Sequence, residues 1–452
     1  MAVVIGASLD RCFLSGFSAK PLTDDLIRRA SKKLPMPQAV VHRGIPCIRA
    51  ALITNPDDFQ VGRFVGSYGF MNITSYSSFQ SGGLSNLGNF KEISAGYSSD
   101  EIERLRIQDV GEGQVKIRLY EGRVIQGPLM GTRVIFKVYP GQLSGGIEAD
   151  MMAANELNAH AILQSDSKSI CQNIQILLGG FETKTGEQWL AFRNDGSYSA
   201  ADYAKVSSEA ISRDLANGAQ KLWNPFEVEL KMKRRRFFVL KLLNGAINGL
   251  AYMHDHDRLH QSLGPASIVL NTIVERDAAY LVPRLRDLAF SVDIGLSSLE
   301  AGPGLLSDGL WRRASSAGAS APLEKRAYGI ADDIYEAGLL FAYMAFVPFC
   351  EVGVIDGLSL QRLFESTFQL DLVAAREYCL ADDHLTEAVK FLDLGDGAGW
   401  ELLQAMLNPD YRRRPIAEAV LNHRFMTATE SVNCGEEHWY YLIVSEIASV
   451  LI

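Results

Sequence analysis

An α+β fold is the class this sequence predicts, and three patterns carry that expectation. Val134-Ile135-Phe136-Lys137 alternates apolar and polar positions with the period of a strand. Ala153 to Leu163 places apolar residues at helical spacing, which predicts an amphipathic helix bearing Glu156. A long helix-like run ends in Tyr252-Met253-His254-Asp255-His256. Between these, Cys171 to Glu182 reads as the next strand, and Trp189-Leu190-Ala191-Phe192 leads into a hinge at Arg193-Asn194-Asp195-Gly196.

After the long helical run comes Leu259-His260-Gln261-Ser262-Leu263-Gly264-Pro265-Ala266-Ser267. It resembles the catalytic loop of the protein kinase superfamily, His-Arg-Asp-x-x-x-x-Asn, in which the Asp accepts the substrate proton and the Asn holds magnesium. Leu285-Arg286-Asp287-Leu288-Ala289 resembles the Asp-Phe-Gly segment with only its Asp kept. Ala321-Pro322-Leu323-Glu324 is similar to Ala-Pro-Glu with one residue inserted, and Asp333 to Gly338 to the start of the buried helix beyond it. Leu402 to Asp410, Arg413-Arg414-Pro415 and His423-Arg424-Phe425 follow the closing pattern of that family's large lobe.

The resemblance spans roughly residues 105 to 427. It implies a two-lobed protein-kinase-like fold: a small antiparallel β lobe with one helix (105–196) and a larger helical lobe (197–427). It also implies an ion pair between Lys137 and Glu156, metal binding at Asp287, and structural roles for Glu324, Asp333 and Arg414, with Glu324 and Arg414 paired. Two alignments of the glycine-rich loop stay open. One uses Gly111 and Gly113 with Lys116 in the third position; the other uses Gly122 before Gly127. Either way the triplet is incomplete, and amides that approach phosphate closely need glycine there.

The departures carry the functional expectation. Ser262 replaces the catalytic Asp, Ser267 the Asn, Gln261 the Arg and Gly264 the Lys. A neutral serine is a poor base near pH 7, so no intact catalytic residue is expected. The reading is a pseudokinase, a scaffold or regulator in which binding of ATP and Mg2+ is weak or absent. The alternatives are an active atypical Ser/Thr kinase and a structural subunit of an organelle complex. Ser315, in Arg312-Arg313-Ala314-Ser315, is a candidate phosphorylation site.

Composition narrows the rest. The 452 residues are 47% hydrophobic with a net charge of -9, which disfavours nucleic-acid binding and leaves protein partners as the expectation. No apolar run is long enough to span a membrane. The six cysteines include no Cys-x-x-Cys pair, so neither zinc nor a disulfide framework is expected. Residues 1–50 carry eight Lys or Arg against three acids and read as a transit peptide, with a cytosolic tail as the alternative. The resemblance to chloroplast kinase-like proteins makes a plastid the expected compartment. Residues 51–104 are expected to be a Gly/Ser-rich linker with little order, and 428–452 a C-terminal tail. Lys231 to Arg236 reads as a solvated helix face, and 198–229 as a longer insertion beside the cleft, either a partner-binding surface or an ornamental loop.

Overall fold

The computed structural model describes residues 52–70, 115–165, 170–217, 225–302, 304 and 306–427. The expected transit peptide, the tail, Gly111 and Gly113 lie outside them. Five strands form one antiparallel sheet: β1 (Phe59–Phe70), β2 (Val115–Val124), β3 (Arg133–Tyr139), β4 (Leu177–Glu182) and β5 (Gln188–Arg193), in the order β1-β2-β3-β5-β4. Helix α1 (Gln142–Leu163) connects β3 to β4 and packs Ala149, Met152 and Ala153 against one face, with Ile117, Leu190 and Phe192. The other face is aromatic: Phe136 meets Phe59 at 5.4 Å and Trp189 at 5.6 Å between ring centroids. Because a strand alternates its side chains, Val134, Phe136 and Val138 join this outer cluster. Lys137 and Tyr139 therefore point toward α1.

The first strand corrects an expectation. Residues 59–70 belong to the stretch read as a linker, yet they pair with β2 along its whole length, Phe59 opposite Val124 and Phe70 opposite Val115. Just before it, Ile53 bridges to Gly179 at the far edge of the sheet. A Cβ at position 179 would sit 2.0 Å from the Ile53 carbonyl oxygen, so only glycine admits this approach. Gly and Ser lower strand propensity locally, but the burial of Phe59 and the β2 ladder outweigh that preference.

The larger part is helical, with a few short strands. β6 (Tyr198–Ser199) leads into α2 (Ala200–Asn217), α3 (Pro225–Asp255) and β7 (Arg258–Leu259); β8 (Ile268–Leu270), β9 (Arg284–Leu285) and β10 (Val292–Asp293) follow. Then come α4 (Leu296–Ala301), α5 (Asp308–Ser316) and α6 (Pro322–Phe346), with α7 (Gly357–Arg362), α8 (Leu372–Leu380), α9 (Thr386–Leu392), α10 (Leu394–Met406) and α11 (Ala417–Leu421) completing the lobe. Helix α6 runs through the centre, with Ile334, Leu340, Phe341 and Phe346 buried in the main core.

Three further expectations change here. The insertion after the hinge is largely helix α2, which stacks Tyr203 on Phe238 at 4.3 Å and is packed rather than ornamental. In the basic run on α3, Arg235 is 1% exposed and reaches Glu275 at 2.8 Å and the Pro348 carbonyl at 2.8 Å, so this face is partly core. Glu324 does not pair with Arg414. Its carboxylate accepts the Ser320 and Ala321 amides at the start of α6, and those bonds hold it below the usual carboxylate range. The Arg414 guanidinium instead donates to the carbonyls of Asn408 and Ala331 and lies over the Tyr335 ring.

Candidate functional site

Strand alternation puts Lys137 on the α1 side of the sheet, and Glu156 on α1 meets it. Lys137 Nζ lies 2.7 Å from both Glu156 oxygens and 2.8 Å from Asp287 Oδ1. All three side chains are buried, at 4%, 0% and 3% exposure. Tyr139, two residues further on the same face of β3, donates its hydroxyl to Glu156. Arg286 Nε approaches Asp287 Oδ2 at 3.2 Å, so two cations face two carboxylates. Buried charges persist only when paired in this way. Asp287 itself takes a left-handed backbone (φ 66°), which Asp tolerates better than most residues.

The loop from His260 to Ser267 hangs on Asp333 of α6, which is 0% exposed. Its carboxylate accepts the His260 amide at 2.8 Å, the Gln261 amide at 3.0 Å and the Gln261 side-chain amide at 2.9 Å. His254 Nε2 lies 3.0 Å away. Gln261, Ser262 and Ser267, which replace the charged loop groups, are thus engaged in bonds that hold the loop in place. Ser262, 2% exposed, donates its hydroxyl to the Asp287 carbonyl at 2.8 Å. The Ser267 hydroxyl donates to the Gly264 carbonyl at 2.8 Å and accepts the Gly264 amide at 3.0 Å, closing a turn.

This arrangement does not fit a bound magnesium ion. Both Asp287 oxygens already face cations, and the Ser267 hydroxyl is turned onto its own loop. Among the described residues no group of three His, Cys, Asp or Glu side chains is placed to hold a metal. A nucleotide phosphate would have to compete with Asp287 for the Lys137 ammonium.

His160 is a site residue that motif reading passed over. It follows Glu156 by one helical turn, so it shares the face that looks into the cluster. The ring is fully buried against Phe192 at 5.0 Å, and among the described residues neither nitrogen has a hydrogen-bond partner of normal geometry, the Gln175 backbone lying nearby. Burial, reinforced by the Lys137 charge, drives its pKa down to about 3. His260 is likewise lowered by burial, against the pull of Asp333 and Asp287. Tyr139 and Arg286 were missed as well. The i+2 spacing from Lys137 and the adjacency to Asp287 were the available signals.

Gly122 lies within β2, where a Cβ would stand 2.5 Å from the Gln60 carbonyl oxygen and 2.5 Å from the Phe136 ring. Packing in the sheet accounts for that glycine, which corrects its reading as part of a phosphate loop. Ser315 is exposed on α5. The arginines before it are engaged, Arg312 with Asp308 at 3.4 Å and Arg313 with Asp332 at 3.0 Å.

The fold and site together define an α+β protein with a five-stranded antiparallel sheet, a single helix against it and a helical lobe that carries the loop. Among solved structures the chain is similar to a Stt7 homolog from Micromonas algae in a crystal soaked with ATP. The identity is 18%, the match covers 70% of this chain and 90% of that one, and the TM-score is 0.44. No family model matches the chain. No curated protein matches it. Among the described residues no helix is long and apolar enough to cross a membrane.

Proposed function

We propose that this chain is a protein-kinase-like protein without phosphotransfer chemistry, acting as a scaffold or regulator through protein partners. The observation that carries the reading is the buried Ser262 hydroxyl bonded to the Asp287 carbonyl. It occupies the position of the family's proton acceptor, bears no charge, and faces inward instead of toward a substrate. The closed set of charges around Lys137 and Asp287 supports weak nucleotide binding at most. The basic, acid-poor first fifty residues support a chloroplast address.

The test is a thermal-shift titration of the full chain with ATP, with and without magnesium or manganese, beside a phosphotransfer assay on a protein acceptor. Ligands that bind only the folded state raise the midpoint by mass action. The expected result is no metal-dependent rise and no transfer above that of Asp287→Asn. A metal-dependent rise with transfer that Asp287→Asn abolishes would establish an active atypical Ser/Thr kinase instead. Import of a full-length fluorescent fusion into chloroplasts tests the compartment, and a cytoplasmic signal would overturn it.

A further inference from the structure

A cavity of about 560 Å³ lies between α1, the described residues of 291–307 and the start of α6. Arg258 on β7 lines it and is 2% exposed. A guanidinium has five N–H donors, and buried donors are nearly always hydrogen-bonded. The Arg258 guanidinium has no hydrogen-bond partner among the described residues, and its nitrogens are not sealed off but reach the cavity. Its charged partner among the described residues is Asp293, 3.5 Å from Nη2, well beyond the roughly 2.7–2.9 Å of a charge-assisted bond. Burial outweighs Asp293 in its effect on this group, lowering the guanidinium pKa. Lys325 enters the cavity from α6, half-buried, and its ammonium has no acceptor among the described residues.

Its lining also includes the apolar side chains of Met151, Leu299, Leu306 and Trp311. Two cations from separate elements, under-matched by the single Asp293 carboxylate, therefore share a cavity with an aromatic and aliphatic surface. The volume falls in the range of roughly 300–1,000 Å³ typical of small-molecule sites. We propose that this cavity binds a small organic oxyanion, its phosphate or carboxylate held by Arg258 and Lys325 and its apolar body against Leu299 and Trp311. Water alone would leave the guanidinium solvated but would give the apolar side chains no role. A ligand seated here bridges α1, one residue from Glu156, to the segment that follows Asp287.

Phenyl phosphate and benzoate are the probes, titrated into the full chain at constant ionic strength with the midpoint of unfolding as readout. Benzyl alcohol is the neutral control. At least one anion is expected to raise the midpoint saturably, and benzyl alcohol is not. Lys325→Met is expected to weaken binding about tenfold, as loss of a charge-assisted bond does, and Arg258→Gln to abolish it. Lys325 is half-buried and has no ion-pair partner among the described residues, so its variant should fold even where Arg258→Gln does not. No response to either anion, an equal response to benzyl alcohol, or undiminished binding in Lys325→Met would overturn the site and leave a water-filled cavity.

Discussion

Ser262 and Asp287 are joined directly: the serine hydroxyl donates to the aspartate's main-chain carbonyl at 2.8 Å. The loop carried by α6 is thereby tied to the backbone at the residue that meets Lys137. The same two positions would carry the proton acceptor and the metal ligand in the family this chain resembles. Here they are coupled as structure. A hydroxyl can donate to a carbonyl where a carboxylate cannot, so the substitution that removes the base also supplies the tether.

Ser262→Ala should therefore cost about 1 kcal/mol, the usual net value of a buried hydrogen bond whose acceptor is left unmatched. Chemical denaturation of the two full-length proteins reads this directly. Identical midpoints would mean that the bond contributes nothing.

Replacing the central cation is expected to be far more damaging. Lys137→Met removes the cation that the buried Glu156 and Asp287 share, and removing one partner from a buried ion pair costs on the order of 3–5 kcal/mol. Adding Glu156→Gln to that variant should recover part of the loss. A double variant no more stable than Lys137→Met would count against repulsion as the cause.

Acid should destabilise the fold through His160. Its folded pKa is about 3 against an ordinary 6.5, so between those values the unfolded chain holds a proton that the folded chain does not. Stability then rises with pH in that window and is lost as pH falls from about 6.5 toward 3. His160→Leu removes this dependence and should lose less stability between pH 6.5 and pH 4, by about 3 kcal/mol. His260, lowered in the same direction, keeps some acid sensitivity in both proteins. Superimposable pH profiles would assign the acid limb elsewhere.

The amino-terminal strand should be needed for the small lobe. A chain starting at residue 105 lacks Ile53, Phe59 and all of β1, and exposes β2 as a new edge. Burying one Phe alone is worth roughly 1.5–3 kcal/mol, and open edges invite aggregation. That chain should melt well below one starting at residue 52, or aggregate. Equal melting temperatures would show that β1 is dispensable.

Much of the site could be read from the sequence because its parts are short motifs on regular elements. The alternation around Lys137 sets which way that side chain points, and helical spacing places Glu156 and His160 on one face. The replacements at Gln261, Ser262 and Ser267 are visible as residue identities alone. What periodicity reports is that a face is buried, not what lies against it. The pairing of β1 with β2 joins residues as far apart as Phe59 and Val124, so local composition argued for a linker where the sheet required a strand. Only the packed fold decided that Arg414 would donate to carbonyls, that Arg235 would be buried, and that one lysine would hold both Glu156 and Asp287. Each of these depends on neighbours brought together from distant parts of the chain, where burial makes a partner compulsory and the tertiary geometry selects which one is within reach.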